Sequence, residues 1–278
     1  MIVNANLFDA YLRCATKCFM RASGETGTEN PYASWTHARA LAYHREGVAR
    51  IQEKIADNEC INGSIDRKTL KSAEWRLAID VNASAKDLES AIHAVERVIA
   101  QKVGEQAQYI PIRFIHTNKL NRDDRLTLAF DGLVLSETLG RKVDIGKIVH
   151  GDSFTTLRVK TSTLEGEVRK AVAEIAGLLA CQTPPDLVLT QHCAECEFQK
   201  QCRQKAIEKD DLSLLAGITV KARPGTSPDA PLCQNVTHVE REPVAANCDL
   251  QRDRLAYRAQ RPTQACAPVN HLVVTARG

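Results

Sequence analysis

Three cysteines near residue 200 have the spacing that metal sites use. Cys193, Cys196 and Cys202 form a C-x2-C-x5-C group in a polar, charged segment. Two thiolates separated by two residues in a turn can face one ion or cluster, and a third can close the site. The candidates for the fourth ligand are Cys14, Cys18 and His192. The spacing predicts a metal centre and leaves zinc and iron-sulfur open, since both accept four thiolates.

Isolated cysteines have a simpler interpretation than this group. An unpaired cysteine behaves as a small apolar residue and is often buried in a core. We expect that role for Cys60 and Cys181. Chance rarely places three cysteines at ligand spacing in a charged segment, so burial alone explains the group less well.

The composition is that of an ordinary globular protein with one or two domains. The chain has 278 residues, of which 44% are hydrophobic and 26% charged. Its net charge of +3, from 37 basic and 34 acidic residues, does not by itself indicate nucleic-acid binding. The apolar stretches are shorter than a bilayer requires, and the N-terminus lacks an export signal. We therefore expect a cytoplasmic protein whose ten cysteines are reduced.

The first half of the chain predicts helices followed by strands. Apolar residues at helical spacing predict an amphipathic helix over 6–20, which carries Cys14, and a second helix over 35–55 after a loop. Alternation predicts a strand over 74–82. The segment 88–98 fits a strand or a helix. A further strand is predicted over 109–114, where a proline at 111 indicates an edge or a bulge.

The second half predicts a helix, a hairpin and a helix. A helix over 126–134 has Asp123 or Asp124 as N-cap and Gly140 at its C-terminus. Residues 145–149 and 154–159 predict a hairpin, and 164–179 a helix. Together these elements predict an α/β fold, with a small mixed sheet flanked by helices and the N-terminal helix joined to the C-terminal turn by the metal.

Two segments of the chain resemble a known family. Residues 11–19 read Tyr-Leu-Arg-Cys-Ala-Thr-Lys-Cys-Phe, and residues 192–203 read His-Cys-Ala-Glu-Cys-Glu-Phe-Gln-Lys-Gln-Cys-Arg. They resemble RecB-like PD-(D/E)XK nucleases with an iron-sulfur cluster, which include CRISPR-associated nucleases that trim spacers. The resemblance covers about residues 1–220 and implies a restriction-endonuclease-like sheet. It also implies a [4Fe-4S] cluster that ties the two ends of the domain together, with the ligands Cys14, Cys193, Cys196 and Cys202 and with Cys18 in reserve for Cys14.

The catalytic residues of that family are hard to place in this chain. The family binds Mg2+ or Mn2+ through paired carboxylates, with a lysine two residues after the second one. One alignment puts His93 at the first carboxylate position with Glu96 nearby, substitutes 109–114 for the acid-x-lysine strand, and places the following helix on 127–131. A second alignment uses Asp131 and Lys160, but an arginine then stands where a carboxylate is required.

The simpler interpretation of these charged residues is that they face solvent. Under it Asp131 is a solvated helix residue and Lys160 an exposed hairpin residue. His44 and Glu46 could supply the histidine that some relatives use, although a helix surface explains them equally simply. The weak catalytic candidates are Asp131, Lys160 and Glu96.

The last part of the chain has a different character. Lys221 is the last lysine, prolines become frequent, and three further cysteines lack ligand spacing. These features predict an irregular or disordered tail over 221–278. One hypothesis is that a frameshift created it.

Three functions remain open on the sequence alone. The first is a metal-dependent DNA nuclease with degenerate catalytic residues, acting on single strands or ends with a helicase partner. The second is a non-catalytic nucleic-acid-binding or partner-docking module, in which Lys200, Arg203 and Lys205 could contact phosphates. The third is a structural zinc protein.

Overall fold

A mixed β-sheet forms the centre of the protein. The computed structural model describes residues 2–28, 30–63, 74–99, 107–181 and 183–214. The sheet order is β2-β3-β4-β5-β6-β7, with β1 paired to β4; β1–β4, β2–β3 and β5–β6 are parallel, and the other pairs are antiparallel. The strands are β1 Val3–Asn4, β2 Cys60–Asn62, β3 Leu77–Ala85, β4 Leu88–Val98, β5 Gln108–Ile115, β6 Ile145–His150 and β7 Thr155–Lys160.

Helices cover both faces of this sheet. They are α1 Ala5–Arg13, α2 Ala15–Ala22, α3 Pro31–Gln52, α4 Arg122–Leu139, α5 Glu165–Ala180 and α6 Gln199–Glu208. Apolar residues of α1, α4 and α5 pack with one face of the sheet into the larger core. The side chains of α3 pack on the opposite face. The predicted α/β class, with a mixed sheet flanked by helices, is confirmed.

The N-terminal helix is divided at Cys14. The sequence predicts one helix over 6–20, but Cys14 is extended, with φ −167° and ψ 120°, between α1 and α2. Its N–H still donates to the carbonyl oxygen of Ala10 at 2.8 Å, and its own carbonyl accepts from Cys18 at 3.1 Å. The break therefore changes the chain direction at the first candidate ligand without leaving its backbone groups unpaired.

The strand predictions are right in type but wrong in one position. Residues 88–98, which fit either state, form strand β4. The sequence predicts that Pro111 marks an edge strand or a bulge. The edge is wrong, because β5 lies between β4 and β6. The ladder with β6 pairs Ile112 to Ile115, so Pro111 lies just before it begins. A proline is tolerated there because its missing N–H interrupts no hydrogen bond on that side.

Helix α4 and the elements after it match the sequence patterns closely. Asn121, rather than Asp123 or Asp124, is the N-cap, and it forms a reciprocal capping box with Asp124. Gly140 ends the helix in the left-handed conformation, with φ 63°. The predicted hairpin is formed by β6 and β7, and the predicted final helix is α5.

A close approach at Gly47 fixes the position of α3 on the sheet. A Cβ atom at this residue would lie 2.3 Å from Cδ1 of Phe114 on β5, so glycine is the residue that permits this contact. The helix therefore rests directly on β5. This places His44, one turn earlier, over β4.

No helix within the described ranges is both long and apolar enough to cross a membrane. The predicted boundary at residue 220 and the predicted tail over 221–278 lie outside the described residues.

Candidate metal centre and candidate active site

The four cysteines predicted as ligands line one narrow, mainly apolar cavity. Cys14 reaches it from the junction of α1 and α2, and Cys193 from a 3-10 turn, Gln191–Glu195. Cys196 follows that turn and Cys202 lies on α6, where both are buried with Phe198. The fold thus brings together residues from the two ends of the described chain.

The hydrogen bonds and the pKa values at this cavity reflect crowded thiols. The N–H of Thr190 donates to Sγ of Cys193 at 3.3 Å. Burial, and after it the neighbouring thiols of Cys196, Cys14 and Cys193, together raise the pKa of Cys202 to about 11. Burial also raises the pKa of Cys196, although the backbone N–H of Phe198 opposes the shift. Thiolates at this cavity therefore require a compensating positive charge, which a metal centre would supply.

The alternative fourth ligands differ in their positions. Cys18 is fully buried in the larger core and does not line the cavity, and burial raises its pKa to about 11. His192 does line the cavity, beside Cys193. Among the three candidates for the fourth ligand, Cys14 and His192 therefore have access to the cavity.

Contacts between protein groups also join the two ends of the described chain near the cavity. Glu197 forms ion pairs with Lys17, at 3.0 Å, and with Arg21, at 2.7 Å, both on α2. The side-chain amide of Asn30, the N-cap of α3, donates to the carbonyl oxygens of Ala194 and Cys196. These contacts hold α2 and α3 against the cysteine turn.

These contacts do not show the predicted metal centre that would join the N-terminal helix to the cysteine turn. Within the described ranges, no group of three or more His, Cys, Asp or Glu residues is placed to hold a metal ion. The four-cysteine centre therefore stays a prediction.

The expectation that all ten cysteines are reduced is wrong for Cys181, which is disulfide-bonded, whereas Cys60 is a free thiol.

Asp131 is a buried structural carboxylate and not a solvated helix residue. Its side chain is fully buried on α4, where Oδ1 accepts from Ser90 at 2.5 Å. Both carboxylate oxygens accept from the guanidinium of Arg113 on β5, one of them at 2.8 Å from Nη2. The second alignment, which takes residues 130–132 as the first metal-binding strand, is also wrong, because these residues are helical. A carboxylate paired in this way is not available to a metal ion.

The other two catalytic candidates lie elsewhere. Glu96 on β4 forms an ion pair with Lys147 of β6, beside a groove under α3. Lys160 is exposed at the end of β7, as predicted, in a shallow depression that it shares with Arg158. The three weak candidates therefore do not form a catalytic group.

A polar groove of about 720 Å3 lies where the first alignment places the catalytic site. His93 on β4 and Arg113 on β5 line it, next to the paired residues Ala94 and Ile112. His44 of α3 covers His93, with the ring centroids 4.4 Å apart. The element types of that alignment, two strands and a following helix, are those of β4, β5 and α4.

Asp80 and His93 mark a local distortion of the sheet. Pairing between β3 and β4 passes from Ile79–Ala94 to Val81–Ile92, and Asp80 between them has φ 51°. That conformation is uncommon for aspartate and occurs often at functional sites. The Asp80 carboxylate lies 3.5 Å from Nε2 of His44. Burial and the charge of Arg113 hold the pKa of His93 well below its usual range, so its ring is neutral and Nδ1 accepts from the N–H of Phe114.

Sequence reasoning missed Arg113 and Asp80 as groove residues. A signal for Arg113 was present, since an arginine inside the apolar segment 109–115 must be paired when the strand is central. Nothing local identifies Asp80, because its role depends on the interrupted pairing with β4.

The chain matches no known protein-family model, and no curated protein resembles it at a significant level. It is an α/β protein with a mixed seven-stranded sheet flanked by helices.

Proposed function

We propose that the chain is a RecB-like nuclease-type domain that binds DNA without cutting it. One observation carries this proposal: the groove expected to hold a metal between carboxylates contains His93 and Arg113 at the strand positions concerned. A hard divalent cation prefers oxygen ligands, and a neutral imidazole beside a guanidinium does not neutralise it. The guanidinium of Arg113 also donates hydrogen bonds to the nearby carboxylate of Asp131, which is therefore not available to a metal ion.

The test measures binding and cleavage on the same preparations. The full chain is incubated with single-stranded and duplex DNA in Mg2+ and in Mn2+, and binding is followed as salt is raised. We expect salt-sensitive binding, because contacts with phosphates release counterions, and intact DNA. Absence of binding at low salt, or cleavage by the pure protein, would refute the proposal.

A metal-dependent nuclease is the second candidate, and one specific observation favours it. Three carboxylates that the family alignment does not use, Asp9, Asp80 and Glu89, line the same groove as His44. Carboxylates from different elements could hold Mg2+ or Mn2+ at a displaced site. This function predicts cleavage that Asp80→Asn abolishes and that Asp152→Asn, an aspartate that does not line the groove, leaves unchanged.

The cysteine cavity supports a structural role for the centre that we propose there. Cys14, Cys193, Cys196 and Cys202 would hold a [4Fe-4S] cluster, which when bound supplies four thiolate-iron bonds between distant parts of the chain. The donor chemistry suits a cluster, since four thiols and an apolar wall line one cavity, although the described side chains are not placed around an ion. Zinc is the alternative, and four thiolates about 2.3 Å from one zinc ion would lie about 3.8 Å from each other.

Spectroscopy and analysis of anaerobically purified protein separate the two metals. A cluster gives visible absorbance together with equal amounts of iron and sulfide, whereas zinc is colourless. Bound zinc without iron would overturn the cluster. The absence of both metals would overturn the centre itself.

A further inference from the structure

The first half of α3 carries aromatic side chains that are exposed and stacked. Tyr32 and Trp35 have 48% and 51% of their surface accessible, and their ring centroids are 5.8 Å apart. The guanidinium carbon of Arg39 lies 5.0 Å from the centroid of the Trp35 ring. These three side chains occupy positions i, i+3 and i+7 and therefore share one face of the helix. We call them the aromatic face.

The two tryptophans of the chain differ in their exposure. The second tryptophan, Trp75, is only 4% exposed and packs in the larger core. A single exposed apolar residue needs no explanation, but two stacked aromatic rings joined by an arginine form a continuous surface. The rings are ordered by each other and by the arginine, so binding a flat ligand would cost little additional side-chain entropy.

The charge around the aromatic face has one sign along the helix. Residues 31–45 contain no aspartate or glutamate, and they contain the exposed arginines Arg39 and Arg45. Positive groups beside stacked rings complement a flexible polyanion that carries planar groups. Such a ligand is single-stranded nucleic acid, whose bases stack on aromatic rings while its phosphates meet arginine.

Hydrogen bonds hold the N-terminus of α3 beside the cysteine cavity. Asn30 accepts from the N–H groups of Tyr32 and Ala33 and donates to the carbonyl oxygens of Ala194 and Cys196. The N-terminus of α3, where the aromatic face begins, is therefore held by contacts with the cysteine turn. A preorganised surface of this kind binds with a smaller ordering cost.

We propose that the aromatic face of α3, Tyr32, Trp35 and Arg39, binds single-stranded nucleic acid by stacking bases on the two rings. This inference rests on the proposed nucleic-acid function and adds where and how the strand is held. A base contacts Trp35 through its flat surface, so sequence preference is weak, and Arg39 contacts the phosphate backbone.

The test titrates the full chain into fluorescein-labelled oligothymidylate, oligouridylate and a DNA duplex, and follows anisotropy at low salt. We expect both single strands to bind more tightly than the duplex. Trp35→Ala and Tyr32→Ala should each weaken binding roughly tenfold, whereas Trp35→Phe should retain most of it, because a ring is preserved.

Arg39→Ala has a matched control on the same helix. Arg50 is also exposed and stacks on an aromatic ring, that of Phe154, but Glu46 neutralises it. We expect Arg39→Ala to weaken binding several-fold and to reduce its salt dependence, and Arg50→Ala to change neither. Equal effects of the two substitutions would contradict the assignment.

Tryptophan fluorescence gives an independent reading, because the chain has two tryptophans and one of them is buried. Oligothymidylate should quench the emission of the wild type, and Trp35→Phe should remove that quenching. Sedimentation of the free proteins tests whether a second copy of the chain covers the face instead.

The outcomes separate this inference from the function on which it rests. If the wild type binds neither the single strands nor the duplex, both fail; if it binds the duplex alone, only this inference fails. If it binds and the three substitutions leave the affinity unchanged, the aromatic face is not the binding surface and the proposed function stands. A dimer that Trp35→Ala converts to a monomer would assign the face to self-association.

Discussion

The cysteine cavity and the polar groove differ in what they keep of the predicted chemistry. The cavity gathers the four thiols that the family resemblance implies, inside an apolar wall. The groove has the expected elements around it but lacks the paired carboxylates, and its nearest buried carboxylate, Asp131, is bound by Arg113. The comparison teaches that predicted ligands can converge in one region of a fold while predicted catalytic residues do not converge in another.

Cys196→Ser tests the cavity side of the comparison and should have the largest effect. A structural metal contributes on the order of 10 kcal/mol to folding, so we expect a loss of at least ~4 kcal/mol in the free energy of unfolding and loss of the bound metal. Denaturant titration with metal analysis measures both. Cys60→Ser, at a free cysteine outside the cavity, should change neither. If Cys196→Ser changes neither the bound metal nor the free energy of unfolding, the cavity is not a metal centre and the contrast with the groove is lost.

Arg113→Met tests the groove. The substitution leaves the carboxylate of Asp131 buried without its partner, and we expect a loss of about 3–5 kcal/mol in the free energy of unfolding. The double variant Arg113→Met/Asp131→Leu should recover most of that loss, because it removes both charges.

The matched control for this prediction is Arg122→Met. Arg122 also forms two hydrogen bonds with a carboxylate, that of Glu167, but on the surface. It should leave stability unchanged, since exposed ion pairs contribute little. Equal effects of Arg113→Met and Arg122→Met would show that the groove pair is not structural.

The neutral state of His93 predicts a pH dependence of stability. Its pKa is lowered in the folded protein, so below about pH 6.5 the unfolded chain binds a proton that the folded one does not. The free energy of unfolding should therefore decrease as the pH is lowered, by at most about 1.4 kcal/mol per unit and by about 1.6 kcal/mol from pH 6.5 to pH 5. His93→Gln should flatten this part of the stability curve. A slope that persists in His93→Gln would refute this origin.

Asn30→Ala and Asn121→Ala compare two helix caps and should have the smallest effects. Each removes an N-cap and should cost about 1 kcal/mol in the free energy of unfolding. Asn30 also contacts the carbonyl oxygens of Ala194 and Cys196. Only Asn30→Ala should therefore accelerate metal release to a chelator, and equal release rates would contradict the coupling.

The elements of the fold were predictable because their signals are local. The apolar stripe and the C-terminal glycine of α4, the alternation in β3 and the two segments of the β6–β7 hairpin each lie within one short segment. The spacing of Cys193, Cys196 and Cys202 is a local signal too, but the metal centre that it predicts stays a prediction. The break at Cys14 was not, because helical spacing continues through it.

The groove could be predicted only in part. His93, Arg113 and Asp80 come from three strands, and their proximity depends on register rather than on spacing along the chain. Asp131 was misjudged because a helix buried on all sides has no solvated face. The apolar residues that flank it from Leu126 to Leu135 contained that information.

The contact at Gly47 limits how closely α3, which carries His44 at the polar groove, approaches the sheet. Because backbone atoms of α3 rest on the ring of Phe114, the helix cannot move towards the sheet to grip a small ligand. The distance between His44 and β4 is thus set by main-chain packing and not by side-chain rotamers. A larger residue at position 47 would lift the helix and widen the groove, so a single methyl group at this position would change which molecules can enter it.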